Sequence, residues 1–146
     1  PADFLAQANA ELLGTAIGKH ATLFYGVLDV QKNQLTYSVA GALPLPILIS
    51  DGQARYLEGE GAPIGLFEQT SYQEVLVDLP NKFRFMMFSD GILEVIDQPS
   101  LVDKEKYLLD QSVNLKADEE SIFNQLNVDT VKQYPDDIAL LVIDRK

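Results

Sequence analysis

Two acidic positions stand apart from the general excess of carboxylates in this sequence. Asp90 closes the apolar run Phe83 to Phe88 and is followed at once by Gly91. The pair Asp136 and Asp137 directly precedes the apolar run Ile138 to Ile143. Short apolar runs of this kind read as buried strands. If the two strands lie antiparallel in one sheet, the end of the first and the start of the last share a rim, and the carboxylates converge there. Clustered carboxylates repel one another unless a cation neutralises them, and a hard divalent ion such as Mg2+ or Mn2+ suits oxygen ligands. Gly91, with no side chain, would let backbone or water come close to that ion. A bound ion would lower the pKa of a coordinated water and orient it for attack on phosphorus, with no covalent enzyme intermediate. The same residues have a plainer reading. Asp-Gly is a common turn pair, and Asp51-Gly52 is the same dipeptide in the setting of an ordinary hairpin turn.

Other reactive side chains are few. There is no cysteine and one histidine, His20, so thiolate sites, cysteine nucleophiles and paired-histidine chemistry are excluded. His20 follows Lys19 in a loop and is expected to face solvent. Ser89 has no histidine base nearby in sequence, which argues against a nucleophilic role. Arg84 could meet a substrate phosphate, but within a strand it is expected to face solvent or pair with an acid. The glycine-rich stretch Gly59 to Gly65 lacks the Gly-Lys-Ser/Thr ending of a phosphate-binding loop and reads as a flexible connection. No residue is assigned as a catalytic group.

The elements that must position these residues follow from the pattern of apolar residues. Residues 3 to 13 form an amphipathic helix with Phe4, Leu5, Ala8 and Leu12 at helical spacing, and Asp3 can cap it. Ala21 to Asp29 and Leu35 to Gly41 read as strands joined by a turn at residues 31 to 34. Leu35, Tyr37 and Val39 alternate with Thr36 and Ser38. Leu45 to Ser50 and Gln53 to Glu58 pair across Asp51-Gly52, and residues 59 to 66 form the glycine-rich loop. Tyr72 to Asp78 and Phe83 to Ser89 are read as a further hairpin across Pro80-Asn81. Helices are expected at 91 to 96, 103 to 113 and 118 to 128, the last capped near Asp118 or Ala117. Strands apolar on both faces, such as Leu23 to Leu28 and Phe83 to Phe88, imply sheet packed on sheet with helices outside. The expected class is α+β, an antiparallel β-sandwich flanked by helices.

The 146 residues suffice for one domain, with 47% hydrophobic residues for a core. A formal charge of −11 repels phosphate backbones and anionic lipid, so nucleic acid and membrane surfaces are poor partners. The acid excess is equally a simple device for solubility. No apolar run is long enough to span a bilayer. The absence of cysteine fits a cytoplasmic location. The chain starts at Pro1 and runs almost directly into its first helix, as a piece of something longer would.

Read in order, the motifs resemble the SpoIIE/RsbU-like branch of the metal-dependent, type-2C-like protein phosphatases. Thr22-Leu23-Phe24-Tyr25-Gly26-Val27-Leu28-Asp29, Leu35-Thr36-Tyr37 and Ala40-Gly41 with Pro44 resemble that branch's paired first strands. Gly61-Ala62-Pro63-Ile64-Gly65-Leu66 resembles its G-x-P-L-G loop. Phe88-Ser89-Asp90-Gly91-Ile92-Leu93-Glu94 resembles its Y-T-D-G-V-x-E motif, and Pro135-Asp136-Asp137-Ile138-Ala139-Leu140 its closing D-D-x-T-L. The resemblance covers residues 4 to 144. It implies a two-metal Mn2+ or Mg2+ centre that hydrolyses phosphoserine or phosphothreonine. Asp90 and Asp136 would be metal ligands, Asp137 a ligand or a support behind them, and Gly91 the backbone beside the ion.

Within the branch, the chain looks most like the output domain of RssB-type response regulators, which govern a stress sigma factor. A phosphorylated anti-sigma-factor antagonist or a sigma factor would then be the partner, with a receiver or sensor domain upstream. Three departures bear on this. Ala42 stands where the branch has histidine, and Ala139 where it has threonine. The early D-x-x-G-H-G motif, which supplies the aspartate bridging both metals, has no counterpart here. Family order puts that motif ahead of residues 3 to 13, so the domain is expected to be N-terminally incomplete. The runner-up reading is a degenerate phosphatase fold serving as a protein-binding adaptor for a sigma factor or its regulator.

Overall fold

The computed structural model describes residues 1–15, 17–115, 119–126, 128 and 135–146. In chain order the elements are α1 (Ala2–Leu13), β1 (Leu23–Asp29), β2 (Gln34–Ala40), β3 (Ile47–Ser50), β4 (Gln53–Tyr56), β5 (Val75–Asp78), β6 (Phe83–Phe88), α2 (Gly91–Val95), α3 (Leu101–Ser112), α4 (Glu119–Gln125) and β7 (Leu140–Arg145). They fall into two compact units, Pro1–Leu43 with Glu58–Asn81, and Pro44–Leu57 with Lys82–Lys146. Among the described residues, no helix is long and apolar enough to cross a membrane.

The first unit holds a three-stranded antiparallel sheet in the order β1-β2-β5. The β1–β2 turn is held by Asp29, whose Oδ1 accepts the N–H groups of Gln31 and Lys32, each at 3.0 Å. Helix α1 buries Leu5 in a cluster with Ala40, Ile64 and Tyr72. One turn on, Asn9 occupies the same apolar stripe. It donates to the Phe67 carbonyl at 3.0 Å and accepts from the Gly65 N–H at 2.7 Å. Those bonds, unanticipated from the sequence, tie the helix to the glycine-rich loop.

Four expectations are corrected in this unit. The helix starts at Ala2, so Asp3 lies inside its first turn and caps nothing; no side chain caps this end. The glycine-rich loop is a packed segment rather than a flexible connection. At Gly41, with φ +69°, a Cβ would lie 2.7 Å from the Pro63 ring, and at Gly61 it would collide with the Val39 carbonyl. Ser38, expected on a polar face, is fully buried and donates to the Gln73 carbonyl at 2.8 Å. Strand β1 is less covered than its double-sided apolarity suggested. It is an edge strand, with Val27 50% and Leu28 38% exposed.

The second unit holds a four-stranded antiparallel sheet in the order β4-β3-β6-β7. Asp51 and Gly52, at φ 49° and 73°, make the two-residue loop between β3 and β4, and Ser50 pairs with Gln53. Two consecutive positive φ values match the twist of the flanking strands. Ile47, Met86, Phe88, Ile92, Leu108, Ile122 and Leu126 belong to one buried cluster. The Tyr56 hydroxyl donates to the Glu105 carbonyl of α3 at 2.7 Å. Burial, with the Glu105 charge adding to it, pushes that phenol above its ordinary range.

The proposed hairpin between Tyr72–Asp78 and Phe83–Ser89 does not form. Strand β5 pairs with β2, whereas β6 pairs with β3 and β7. Leu79 donates to the Asn33 carbonyl at 2.7 Å, and Pro80 has no N–H with which to extend a ladder. Strand β7 starts at Leu140 and, among the described residues, pairs with β6 alone. Its Leu141 and Ile143 are 51% and 38% exposed, so it is an edge strand and not the buried one expected. Helix α3 is capped by Ser100, whose side chain accepts the Asp103 N–H. The anticipated caps at Asp118 or Ala117 lie outside the described residues.

Candidate metal centre

Strands β6 and β7 run antiparallel with Phe88 opposite Leu140, so one ends where the other begins. The ladder goes one step further, with Ser89 N–H donating to the Ala139 carbonyl at 3.0 Å. Beyond it the Ser89 side chain takes over. Its hydroxyl donates to the Asp137 carbonyl at 2.8 Å and accepts the Ala139 N–H at 2.8 Å. Gly91 then passes so close that a Cβ there would lie 2.5 Å from the Asp137 carbonyl oxygen and 3.3 Å from the Asp136 carbonyl carbon. The Asp90–Gly91 and Asp136–Asp137 segments, separate in sequence, therefore meet at one rim.

The carboxylates at this rim are exposed. Asp90 occupies the position before α2, and its side chain makes no capping bond. Asp136 Oδ1 accepts the Asp137 N–H at 2.8 Å, which holds that carboxylate over its own turn. Ile92, immediately behind the rim, is fully buried and anchors α2 in the core. Among the described residues, no group of three or more histidine, cysteine or acidic side chains gathers as a ready ligand shell.

The remaining candidates have other work. Arg84 lies opposite Asp144 on β7 and binds it through Nε to Oδ1 at 2.7 Å and Nη2 to Oδ2 at 3.0 Å. Its Nη1 donates to the Leu115 carbonyl at 2.7 Å. This is the acid pairing anticipated for an arginine in a strand, and it leaves the guanidinium little to offer a phosphate. His20 is exposed. Ser89 was missed by sequence reasoning, which weighed it only as a nucleophile. The available signal was a short hydroxyl side chain at a strand exit, a setting where serine bonds nearby backbone.

All 146 residues, 1–146, match the family model for Stage II sporulation protein E. The chain belongs to the SpoIIE family. It is 26% identical over 130 residues to the phosphoserine phosphatase RsbU of Bacillus subtilis (strain 168), an alignment spanning 86% of this chain and 39% of RsbU. Its structure matches the RsbU and RsbW domains of Rv1364c from Mycobacterium tuberculosis with a TM-score of 0.73 at 24% identity, covering 94% of this chain and 40% of that one. It matches the PP2C phosphatase domain of SpoIIE from Bacillus subtilis, solved with a fragment of the regulatory domain, with a TM-score of 0.71 at 20% identity. That match covers 92% of this chain and 41% of the other. At such identities the structural likeness is one of fold. This SpoIIE-family chain has the mixed α/β fold of PP2C-like phosphatase domains, with antiparallel sheets and few helices, in keeping with the expected α+β class. It spans well under half the length of the curated relatives it matches.

PP2C-like phosphatases are generally metal dependent, so the rim of this SpoIIE-family chain can be tested for fit. Its donors are carboxylate oxygens, and the wall at Gly91 has no room even for a methyl group. Mg2+ keeps several waters and is commonly bound through one or two carboxylates. Asp90 and Asp136 are the carboxylates that would be available to such a cation at this rim, where the described residues gather no three-residue ligand group.

Proposed function

We propose that this chain is the Mn2+- or Mg2+-dependent serine/threonine phosphatase part of a cytoplasmic bacterial response regulator. Its substrate would be a phosphorylated regulatory protein such as an anti-sigma-factor antagonist, in a system that controls a stress sigma factor. A receiver or sensor domain would lie upstream of this single domain, 1–146. What supports the reading is the meeting of the Asp90–Gly91 and Asp136–Asp137 segments at the shared end of β6 and β7, in a chain that matches the SpoIIE family along its whole length.

Asp90 and Asp136 would supply the ligand oxygens. The Asp137 N–H bonded to Asp136 Oδ1 would orient that ligand, and Gly91 would let the two segments pack closely enough to bring it near Asp90. A divalent cation bound there would supply Lewis acidity and a water deprotonated near neutral pH. Ser89, with its hydroxyl engaged by backbone on both sides, is not the nucleophile.

The test is phosphate release from a phosphoserine-bearing antagonist by the native full-length protein, with Mn2+ and after EDTA. Release that needs Mn2+ and is lost in Asp90→Asn is expected. A protein inert at every Mn2+ concentration that still retains a sigma factor or its regulator would favour the second reading, a non-catalytic adaptor. That alternative draws support from Ala42 and Ala139 in place of the family's histidine and threonine, and from the lack of a three-residue ligand group among the described residues.

A further inference from the structure

Asp90 is bracketed by two residues that both lie against one atom of the opposite segment. Ser89 Oγ donates to the Asp137 carbonyl at 2.8 Å, and a Cβ on Gly91 would come within 2.5 Å of that same carbonyl oxygen. The Ser89 hydroxyl is also the acceptor for the Ala139 N–H at 2.8 Å. It therefore uses its proton and a lone pair on two backbone groups at the start of the second segment. We infer that Ser89 is a positioning residue, whose hydroxyl clips the exit of β6 to the approach of β7 and so sets the spacing between the segment carrying Asp90 and the segment carrying Asp136 and Asp137.

The inference rests on the reading of Asp90 and Asp136 as metal ligands. Regular pairing of β6 with β7 stops at Phe88 opposite Leu140. The carboxylates lie beyond that point, where the Ser89–Ala139 backbone bond is the last rung of the ladder among the described residues. A hydroxyl that donates to one segment residue and accepts from another resists both separation and sliding. Gly91 contributes in the opposite sense, since it alone permits the approach that Ser89 holds. Groups that orient metal ligands in this way commonly matter for affinity by roughly 10–100-fold.

The experiment is a titration with Mn2+ alone on wild type, Ser89→Ala, Ser89→Thr, Gly91→Ala and Asp90→Asn. Hydrogen exchange is followed at the Ala139 amide, with the Phe85 and Met86 amides as references for the sheet. Ser89→Ala is expected to bind Mn2+ roughly 10–100-fold more weakly and to expose the Ala139 amide while the reference amides stay protected. Ser89→Thr, which keeps the hydroxyl, is expected to restore both. Gly91→Ala leaves the clip chemically intact and forces the segments apart, so it should lose Mn2+ affinity even if Ser89→Ala proves poorly folded. Undiminished Mn2+ affinity in Ser89→Ala, or in Gly91→Ala, with Asp90→Asn weakened would overturn the clip alone. Mn2+ binding that is equal in wild type and Asp90→Asn would overturn the metal-site reading and the clip with it.

Discussion

Arg84 and Asp144 stand directly opposite each other on β6 and β7, joined by two hydrogen bonds of 2.7 and 3.0 Å in a fork-to-fork pair. The guanidinium also donates to the Leu115 carbonyl, so one side chain links two strands to the segment after α3. An arginine that the sequence offered as a phosphate contact is thus engaged in holding the edge strand that follows Asp136 and Asp137.

That pairing has a pH signature. The hydrogen bond from Arg84 outweighs desolvation and holds the Asp144 carboxyl below its ordinary value of 3.8. A carboxyl that titrates lower in the folded state stabilises the fold fully above its unfolded value. The stabilisation is lost as pH falls through the folded value. Both side chains are partly exposed, so the pair contributes about 1 kcal/mol. Asp144→Asn should lower the urea midpoint at pH 7 by a corresponding amount and lose less stability than wild type below pH ~4. Equal acid sensitivity in the two proteins would dismiss the pair as a contributor.

Asn9 predicts a larger effect. Replacing it with alanine removes two part-buried hydrogen bonds, to the Gly65 N–H and the Phe67 carbonyl. Each such bond contributes about 0.5–1.5 kcal/mol, so the pair contributes about 1–3 kcal/mol. Urea denaturation of Asn9→Ala should show that loss, and faster exchange at the Gly65 amide should localise it.

Gly52 sits at φ 73° in the β3–β4 loop, next to Asp51 at 49°. Space is open around its Cα, so the cost of Gly52→Ala comes from backbone conformation alone. About 1–2 kcal/mol is expected. Asp51→Asn, which suits a left-handed conformation at least as well, should leave the melting temperature near that of wild type. A melting temperature unchanged by Gly52→Ala would argue against the two-residue turn.

Metal linkage gives an equilibrium test that needs no substrate. If the rim binds Mn2+, a free concentration 100 times Kd should stabilise the folded chain by about 2.7 kcal/mol. EDTA should remove that increment, and Asp90→Asn should show a smaller increment at the same Mn2+ concentration. A wild-type unfolding midpoint indifferent to Mn2+ would count against the rim as a metal site.

How much of this was legible in the sequence depended on the range of the interaction. The Asp51-Gly52 turn was legible because two positive φ values are a demand on those two residues alone. The helix at residues 91 to 96 and the strand before it were legible from their runs of apolar residues. That carboxylates at the ends of two apolar runs could share a rim was a conditional reading, resting on antiparallel pairing of those runs. The pairing is present, from Phe83 opposite Arg145 to Phe88 opposite Leu140. Asn9 carried an unread signal, a polar residue one helical turn after Leu5 in an otherwise apolar stripe.

The sequence by itself determined where the chain extends and where it turns, because backbone preference and apolar alternation are set by neighbouring residues. It also placed the acidic residues at strand ends. Only the tertiary structure decided that β5 and β6 part to different sheets, and that the Ser89 hydroxyl bridges to Asp137 and Ala139. Both outcomes are settled by partners dozens of residues away, whose hydrogen bonds exist only once the sheets have assembled.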